Sequence, residues 1–342
     1  MRGMISKLTA AVVLAASFGL AHGQDAKAED IRVMVYNGAY TSLTAHVAKD
    51  IGFYEKNGLN AELVTVASGP AGVAALLGGS IDFAEPPTDQ VILNVLKGTD
   101  LKVVVGNETK NFYKIIARDK ASLPNADKGY PEVVKDLKGK TIGVNALGAT
   151  THLVMNAILK DVGMAPEDVT YLAVGSAATA LAAWEAGRVD VQVAFTPFPE
   201  VLDEMGTGEP ILDLSKGDGP AALTTMGGAF EGFITTGDFI KENKVTVDSF
   251  IKAHIEAIEW MKDPANRQQM IELVNKHVAV SIIPEAKRPQ IIERMIDNYS
   301  AFLGYTVDPK AIDGWNEYLA ASGLADRAVT ADEVIYAGAP KP

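Results

Sequence analysis

Hydrophobic and polar residues alternate along this chain first with the period of a strand and then with that of a helix. Residues 31–35 alternate as a half-buried strand does, and Leu43, Val47 and Ile51 follow at intervals of four, on one face of a helix. We expect this helix to end at Gly52. The alternation continues with a strand predicted over 63–66, a helix over 70–77 and a short strand over 81–84. This order of elements is typical of an α/β protein.

The same order of elements returns later in the chain. Residues 75–83 and 183–191 both run from an apolar helix end through a glycine to an aspartate and a short apolar strand, and the offset from Gly79 to Gly187 is 108 residues. The helices predicted over 41–52 and 150–163 also end alike, in Asp-Ile-Gly and Asp-Val-Gly. A repeated strand–helix–strand–helix–strand unit predicts two Rossmann-like α/β lobes with a cleft between them.

We expect the second lobe to interrupt the first. The strand pattern of residues 113–118 has a later counterpart in 231–236, and the second copy of the unit lies between them. The predicted division is lobe one over 29–115, lobe two over 116–229, and a return to lobe one over 230–342 with amphipathic helices. The two crossings of the chain would form a hinge. The Gly- and Pro-rich segment 206–228 is expected to contain little regular structure.

The first residues have the pattern of a secretory signal. Arg2 and Lys7 precede an apolar run over 8–21 that is too short to span a bilayer, and cleavage is expected after Gly23 or as late as Ala28. The chain contains no cysteine, which excludes disulfides and a lipid-modified cysteine anchor. These features predict a signal peptide over 1–23 and a soluble, monomeric protein in the periplasm.

Charge and motifs exclude several classes of function. The net charge of −12 at pH 7 repels nucleic acid and anionic lipid, so we expect neither as a partner. No GxGxxG, GxxxxGK[ST] or GxSxG motif occurs in a suitable context, and the five histidines form no metal-binding pattern. We therefore predict no cofactor, no metal site and no catalytic residue.

The candidate binding residues lie in the loops that connect strands to helices. Ligands of doubly wound α/β units bind beyond the carboxyl ends of the strands, where these loops lead into helix N-termini. The loops are rich in Gly, Ser and Thr and contain no Lys or Arg, so amides and hydroxyls would hold an anionic group. Ordinary helix capping is the alternative explanation for the hydroxyls. The residues predicted to contact the ligand are Asn37, Tyr40, Thr41, Ser68, Gly69, Thr88, Gly148, Thr150, Thr151, His152, Gly175, Thr196 and Phe198.

The order of these motifs resembles the periplasmic solute-binding proteins of ABC importers, in the branch that serves nitrate, alkanesulfonates, taurine and thiamine-precursor pyrimidines. The resemblance rests on residues 45–59, 76–84, 137–144 and 187–190, followed by the Pro-Phe pair at 197–198. It implies a type II periplasmic binding protein of the Venus-flytrap form, whose lobes close on a small solute and deliver it to a membrane permease. It also implies that the loops named above make the contacts.

Two other functions stay open at this point. The first is an enzyme similar to the pyrimidine synthases of yeast, which share the fold but use a cysteine-rich motif that this chain lacks. The second is a ligand-loaded co-receptor for a membrane sensor, which would use the same cleft.

The ligand class also has two interpretations. Tyr36, Tyr40, Phe198 and Phe230 could form aromatic walls around a flat ring whose carboxylate is bound by helix amides. Glu85 or Asp89 could instead attract a cationic heterocycle such as an aminopyrimidine. Many sulfonate and nitrate binders place a basic residue near the anion, and the loops have none. A small organic acid, with or without an aromatic ring, is the ligand that we expect.

Overall fold

The structure is a computed structural model that describes residues 28–224, 226–279 and 282–342. The predicted signal peptide, residues 1–23, lies outside the described residues. The strands are β1 Glu29–Tyr36, β2 Leu59–Val66, β3 Leu101–Lys110, β4 Lys114–Ala117, β5 Thr141–Val144, β6 Thr170–Ala173, β7 Val191–Ala194, β8 Glu209–Asp213 and β9 Gly227–Thr236. The helices are α1 Leu43–Asp50, α2 Phe53–Lys56, α3 Gly69–Leu77, α4 Thr88–Val95, α5 Glu132–Lys135, α6 Thr150–Asp161, α7 Ala177–Glu185, α8 Phe198–Met205, α9 Ala221–Thr224, α10 Gly237–Glu242, α11 Lys244–Lys262, α12 Arg267–His277, α13 Arg288–Ser300, α14 Ala311–Ala321 and α15 Ala331–Val334.

Lobe one is built on strands that surround β1. Strand β1 pairs in parallel with β2 over its full length, and Val33 of β1 also pairs in parallel with Phe83. The next residue, Ala84, pairs antiparallel with Ile234 of β9, and β9 pairs antiparallel with β3. The short strand predicted over 81–84 is therefore present as single backbone pairings between β1 and β9.

Lobe two contains a five-stranded sheet in the order β6-β5-β7-β4-β8. Strand β5 is parallel to β6 and β7, as β1 is to β2 and to the segment at Phe83. Strand β4 is antiparallel to β7, as β9 is to Ala84. In both lobes a central strand has parallel neighbours on its two sides, and an antiparallel strand follows one of them. The prediction of two Rossmann-like α/β lobes is therefore confirmed.

The chain passes between the two sheets twice. Strand β3 lies in lobe one and β4 in lobe two, so the first crossing runs from Lys110 to Lys114. Strand β8 lies in lobe two and β9 in lobe one, so the return runs from Asp213 to Gly227. The predicted boundaries at 115 and 229 fall inside β4 and β9, a few residues beyond these crossings.

The segment 206–228 contains more regular structure than expected. Strand β8 and helix α9 both lie in it, and β8 forms the edge of the five-stranded sheet, where Pro210 pairs with Ile116. An edge strand tolerates proline because one of its sides needs no backbone N–H donor. The expectation was wrong because glycine and proline interrupt helices and central strands but not a strand of this kind.

The C-terminal helices cover lobe one. Helix α11 packs against α1 and α2, and α12 packs against α1, while α13 also contacts α8 of lobe two. The ring of Phe250 in α11 stacks on Phe83 with 3.7 Å between the ring centroids, which joins this layer to the sheet. Within the described part of the chain, no helix is long and apolar enough to cross a membrane.

Candidate functional site

A cavity of about 400 Å³ lies between the two lobes. Residues from the loops after β1 and β2 form one wall, and residues from β7 and from the loops after β5, β6 and β7 form the other. Helices α3, α6, α7 and α8 begin at this cavity. The position is the one expected for a ligand of two doubly wound α/β units, beyond the carboxyl ends of the parallel strands.

About half of the residues predicted to contact the ligand line this cavity. Those in the wall are Asn37, Thr41, Gly69, Thr150, Gly175 and Phe198. Those outside the lining are Tyr40, Ser68, Thr88, Gly148, Thr151, His152 and Thr196. The residues in the wall come from both lobes, so the cavity is a shared site.

Two of the residues outside the lining make side-chain contacts elsewhere in the fold. The Tyr40 ring is buried against Tyr299, with 4.4 Å between the ring centroids. The Thr151 hydroxyl donates a hydrogen bond to the Oδ1 atom of Asn145, a cavity residue, and accepts one from the Asn145 backbone N–H at 3.2 Å. Thr151 therefore fixes the loop after β5.

Several other predicted residues form hydrogen bonds with residues close to them in the sequence. The Ser68 hydroxyl accepts a hydrogen bond from the Ala71 N–H at 3.4 Å, which is the ordinary capping that was the alternative explanation. The Thr196 hydroxyl donates to Glu200 at 3.2 Å. His152 accepts a hydrogen bond on Nδ1 from the Gly148 N–H at 3.0 Å, and burial lowers its pKa. Thr88, the first residue of α4, is buried.

Several residues in the wall were not among the predicted contacts. The aromatic ones are Tyr36, Phe112, Tyr113 and Phe195, and the polar ones with long side chains are Asn145, Gln192 and Glu231. Of the proposed aromatic walls, Tyr36 and Phe198 line the cavity, whereas Tyr40 and Phe230 do not. Phe112 and Tyr113 lie in the first crossing, which sequence patterns locate only approximately. Glu231 is the charged residue of β9, a strand that is otherwise uncharged. This charge within a strand could have identified Glu231 as a candidate site residue.

Polar contacts join the lobes along one side of the cavity. The Thr150 hydroxyl of lobe two donates a hydrogen bond to Oδ1 of Asp89 in lobe one at 2.7 Å, and both side chains are buried. The Gln90 side-chain amide donates to the Gly148 carbonyl at 3.4 Å. Burial raises the pKa of Asp89 to about 6, and hydrogen bonds from Thr150 and Gln90 oppose this rise. Thr150 therefore both lines the cavity and connects the two lobes.

A second set of contacts joins α13 to α8. Arg294 pairs with Asp203 at 2.7 Å and with Glu204 at 2.9 Å, and Lys287 pairs with Glu204 at 3.1 Å. These ion pairs are partly exposed, so each contributes on the order of 1 kcal/mol or less. They connect helices from different lobes without entering the cavity.

The electrostatics of the wall are unusual for an anion site. Among the described residues that line the cavity, none is Lys, Arg or His, and the only carboxyl group belongs to Glu231. The described part of the chain also holds no cluster of three or more His, Cys, Asp or Glu side chains that could bind a metal ion. The wall can therefore offer aromatic faces, amides, hydroxyls and one carboxyl group.

Known proteins that resemble the chain agree with this picture. A model of the NMT1-like family matches residues 33–275, which is well over half of the 342-residue chain. The chain belongs to the NMT1-like family. Among its relatives, a protein of Brucella abortus named as a binding protein is 27% identical over 293 residues, which cover 85% of this chain and 82% of the relative.

Solved structures of other proteins have the same fold as this chain. The alkanesulfonate-binding protein SsuA of Xanthomonas axonopodis pv. citri is 21% identical, with a TM-score of 0.71 over 90% of this chain and 99% of that one. The periplasmic nitrate-binding protein NrtA of Synechocystis PCC 6803 is 19% identical, with a TM-score of 0.59 over 75% of this chain and 69% of that one. The periplasmic binding protein fold and the resemblance inferred from motif order are confirmed. The names of these relatives describe binding proteins, in agreement with a receptor rather than an enzyme.

Proposed function

We propose that this protein is the solute-binding receptor of an ABC importer, which captures a small organic solute between its lobes and delivers it to a membrane permease. The observation that carries this proposal is a cavity of about 400 Å³ whose wall is shared between two lobes, between which the described part of the chain passes twice. The periplasmic location of the solved relative NrtA and the predicted signal peptide support a periplasmic site of action. We propose that the protein acts there as a monomer.

The aromatic residues of the wall favour an organic solute over a small inorganic ion. Phe112, Tyr113 and Phe195 are neighbours in the wall, with ring centroids 5.1 to 6.4 Å apart. Tyr36 and Phe198 add further rings. A cavity of this volume lies within the range of about 300–1,000 Å³ typical of small-molecule sites, in which apolar walls provide most of the contact. We infer that a flat or compact carbon skeleton lies against these rings.

The helix N-termini favour an acidic group on the same solute. Ala149 is the N-cap of α6 and has no side chain that could bind the free amides of the first turn, and α7 also begins without a side-chain cap. Such amides and the helix dipole stabilise a carboxylate. Unlike a site with a basic residue, this wall offers no cationic partner, so the acidic group would be bound by backbone amides and hydroxyls.

A thermal-shift screen tests the proposed function. The purified protein is heated with aromatic carboxylates, aliphatic carboxylates, amino acids, sulfonates, aminopyrimidines and nitrate, each in turn. A true ligand at 100 times its dissociation constant adds about 2.7 kcal/mol to the free energy of unfolding, which raises the melting temperature by several degrees. Mass spectrometry of the solute released by denaturation should recover it unchanged. Failure of every class to stabilise the protein, or recovery of a chemically altered product, would contradict a receptor function.

Thr150→Ala should weaken solute binding by about fivefold, which corresponds to about 1 kcal/mol. The change removes a hydroxyl from the cavity wall and leaves the buried Asp89 carboxyl without its partner in the other lobe. Thr150→Ser keeps the hydroxyl and should bind almost as the unchanged protein does. Calorimetric titration with the solute from the screen measures both variants. Thr170→Ala, at an exposed position of β6, is the control, and equal affinity of all three variants would contradict the role of Thr150.

A further inference from the structure

The carboxyl group of Glu231 has an unusual position in the cavity wall. Glu231 lies in β9, opposite Glu108 of β3 and beside Pro87, and only 3% of its surface is exposed. It is nevertheless one of the residues that line the cavity. Its side chain therefore lies at the boundary between the interior of lobe one and the space shared by the lobes.

Among the described residues, protein groups donate hydrogen bonds to the neighbouring acids Glu85 and Glu108 but not to Glu231, although Oε2 of Glu108 also has no partner there. Glu85 accepts hydrogen bonds from Ser42 and Asn107, and Glu108 accepts them from Asn107 and Tyr299. Within the described ranges 28–224, 226–279 and 282–342, no side chain or backbone N–H donates a hydrogen bond to the Glu231 carboxyl group. A carboxyl group that lines a cavity and has no protein partner can form a hydrogen bond or an ion pair with a bound molecule. The partner that fits this position is a group on the solute.

The charges around Glu231 favour a positive partner. Burial, followed by the negative charges of Glu108 and Asp89, raises its pKa well above the usual range. Burial and then the charge of Glu231 likewise raise the pKa values of Tyr36 and Tyr113. No described cation lines the cavity to offset these acids, so a cationic group there would lower the energy of the ionised carboxylate.

The tyrosine rings near Glu231 suit the same kind of group. Tyr36 and Tyr113 both line the cavity, and the Tyr36 hydroxyl donates a hydrogen bond to the Glu85 carbonyl at 2.9 Å, which fixes its ring. Aromatic faces attract ammonium and other cationic nitrogens through the negative potential above the ring. A carboxylate between aromatic rings is a common way to bind such a group, and it is a poor site for an anion.

We propose that Glu231 binds a cationic nitrogen of the solute, so that the ligand class is a nitrogen-bearing organic acid. Its ammonium or protonated heterocyclic nitrogen contacts Glu231, and its acidic group lies at the N-termini of α6 and α7. This inference rests on the proposed receptor function. It separates this protein from receptors for nitrogen-free carboxylates, which offer no positive charge to an ionised Glu231.

The test uses a water-soluble small-molecule extract of bacterial cells. Cation exchange at about pH 2, where carboxyl groups are largely protonated and amines stay positively charged, divides the extract into solutes that carry a basic nitrogen and solutes that do not. The full-length mature protein is dialysed against each fraction, and mass spectrometry identifies the solutes that denaturation releases. We expect a bound solute from the fraction with basic nitrogen. A bound solute from the nitrogen-free fraction alone would overturn the inference but keep the receptor function, and no bound solute from either fraction would overturn both.

The variant Glu231→Gln tests the residue itself. An amide keeps the shape of the side chain and can donate a hydrogen bond, but it carries no negative charge. Affinity for the recovered solute should fall on the order of 100-fold, because the cation loses its buried partner. Glu62→Gln makes the same chemical change at an exposed position of β2 and should leave affinity unchanged. Equal affinity of Glu231→Gln and the unchanged protein would show that Glu231 is a neutral donor or no ligand contact, and either result overturns the inference. If Glu231→Gln does not fold, the two fractions still decide the ligand class with the unchanged protein.

Discussion

Ala180→Trp is expected to abolish solute binding and leave the protein folded. Ala180 lies on α7, is buried, and forms part of the cavity wall. An indole at this position would extend into the space between the lobes instead of into a close-packed core, so the usual penalty of about 1–3 kcal/mol for overpacking should be largely avoided. Because the ring occupies the volume that the solute needs, we expect affinity to fall at least about 100-fold, or about 2.7 kcal/mol. Calorimetric titration and thermal unfolding measure the two effects separately.

The same helix offers a matched control for this variant. Ala182 is exposed on α7, two residues from Ala180, so Ala182→Trp adds the same ring outside the cavity. It should bind solute as the unchanged protein does. If Ala180→Trp kept full affinity, the solute would have to bind elsewhere, and the cavity between the lobes would not be the site. If both variants lost binding equally, the cause would be a distortion of α7 by the added ring and not occupation of the cavity.

A covalent link between the lobes is expected to slow solute association at least about 100-fold. The Thr150 and Asp89 side chains meet across the lobes at 2.7 Å, and the chain has no cysteine of its own. The double variant Asp89→Cys, Thr150→Cys therefore carries a single thiol pair, which a short bis(methanethiosulfonate) reagent can join through two disulfide bonds that reduction cleaves. When the lobes are joined before solute is added, the cavity cannot open, and solute entry requires opening if the lobes move about the two crossings. Stopped-flow measurement of the association rate gives the result.

Reduction of the same sample supplies the control. Release of the link should restore fast association without any change in sequence, which removes the effect of losing the Thr150–Asp89 hydrogen bond from the comparison. The single variant Thr150→Cys, treated with the same reagent, should show no slow phase. Equal association rates for the joined and released forms would mean that solute enters without separation of the lobes, and the hinge predicted from the two crossings would then be wrong.

The architecture was largely predictable because its signals are local. Periodicity located β1 and α1, and the repeat from Gly79 to Gly187 identified two units before any contact was known. The edge strand β8 was missed, since Pro210 within a short segment resembles a turn until its partner β4 is known. The positions of the crossings depend on which sheet each strand joins, and a local pattern does not contain that information.

The candidate site, like the fold, was predictable from the sequence only in part. By itself, the sequence determined the two lobes, the loops that hold Asn37, Gly69, Thr150 and Gly175, and the lack of Lys and Arg in those loops, because strand-to-helix loops follow directly from the pattern of elements. Only the tertiary structure decided which residues share the cavity. Glu231 lines it because β9 returns to lobe one beside Pro87, and this depends on pairings between residues more than 100 positions apart. Such pairings minimise the free energy of the whole chain, and no local pattern encodes them.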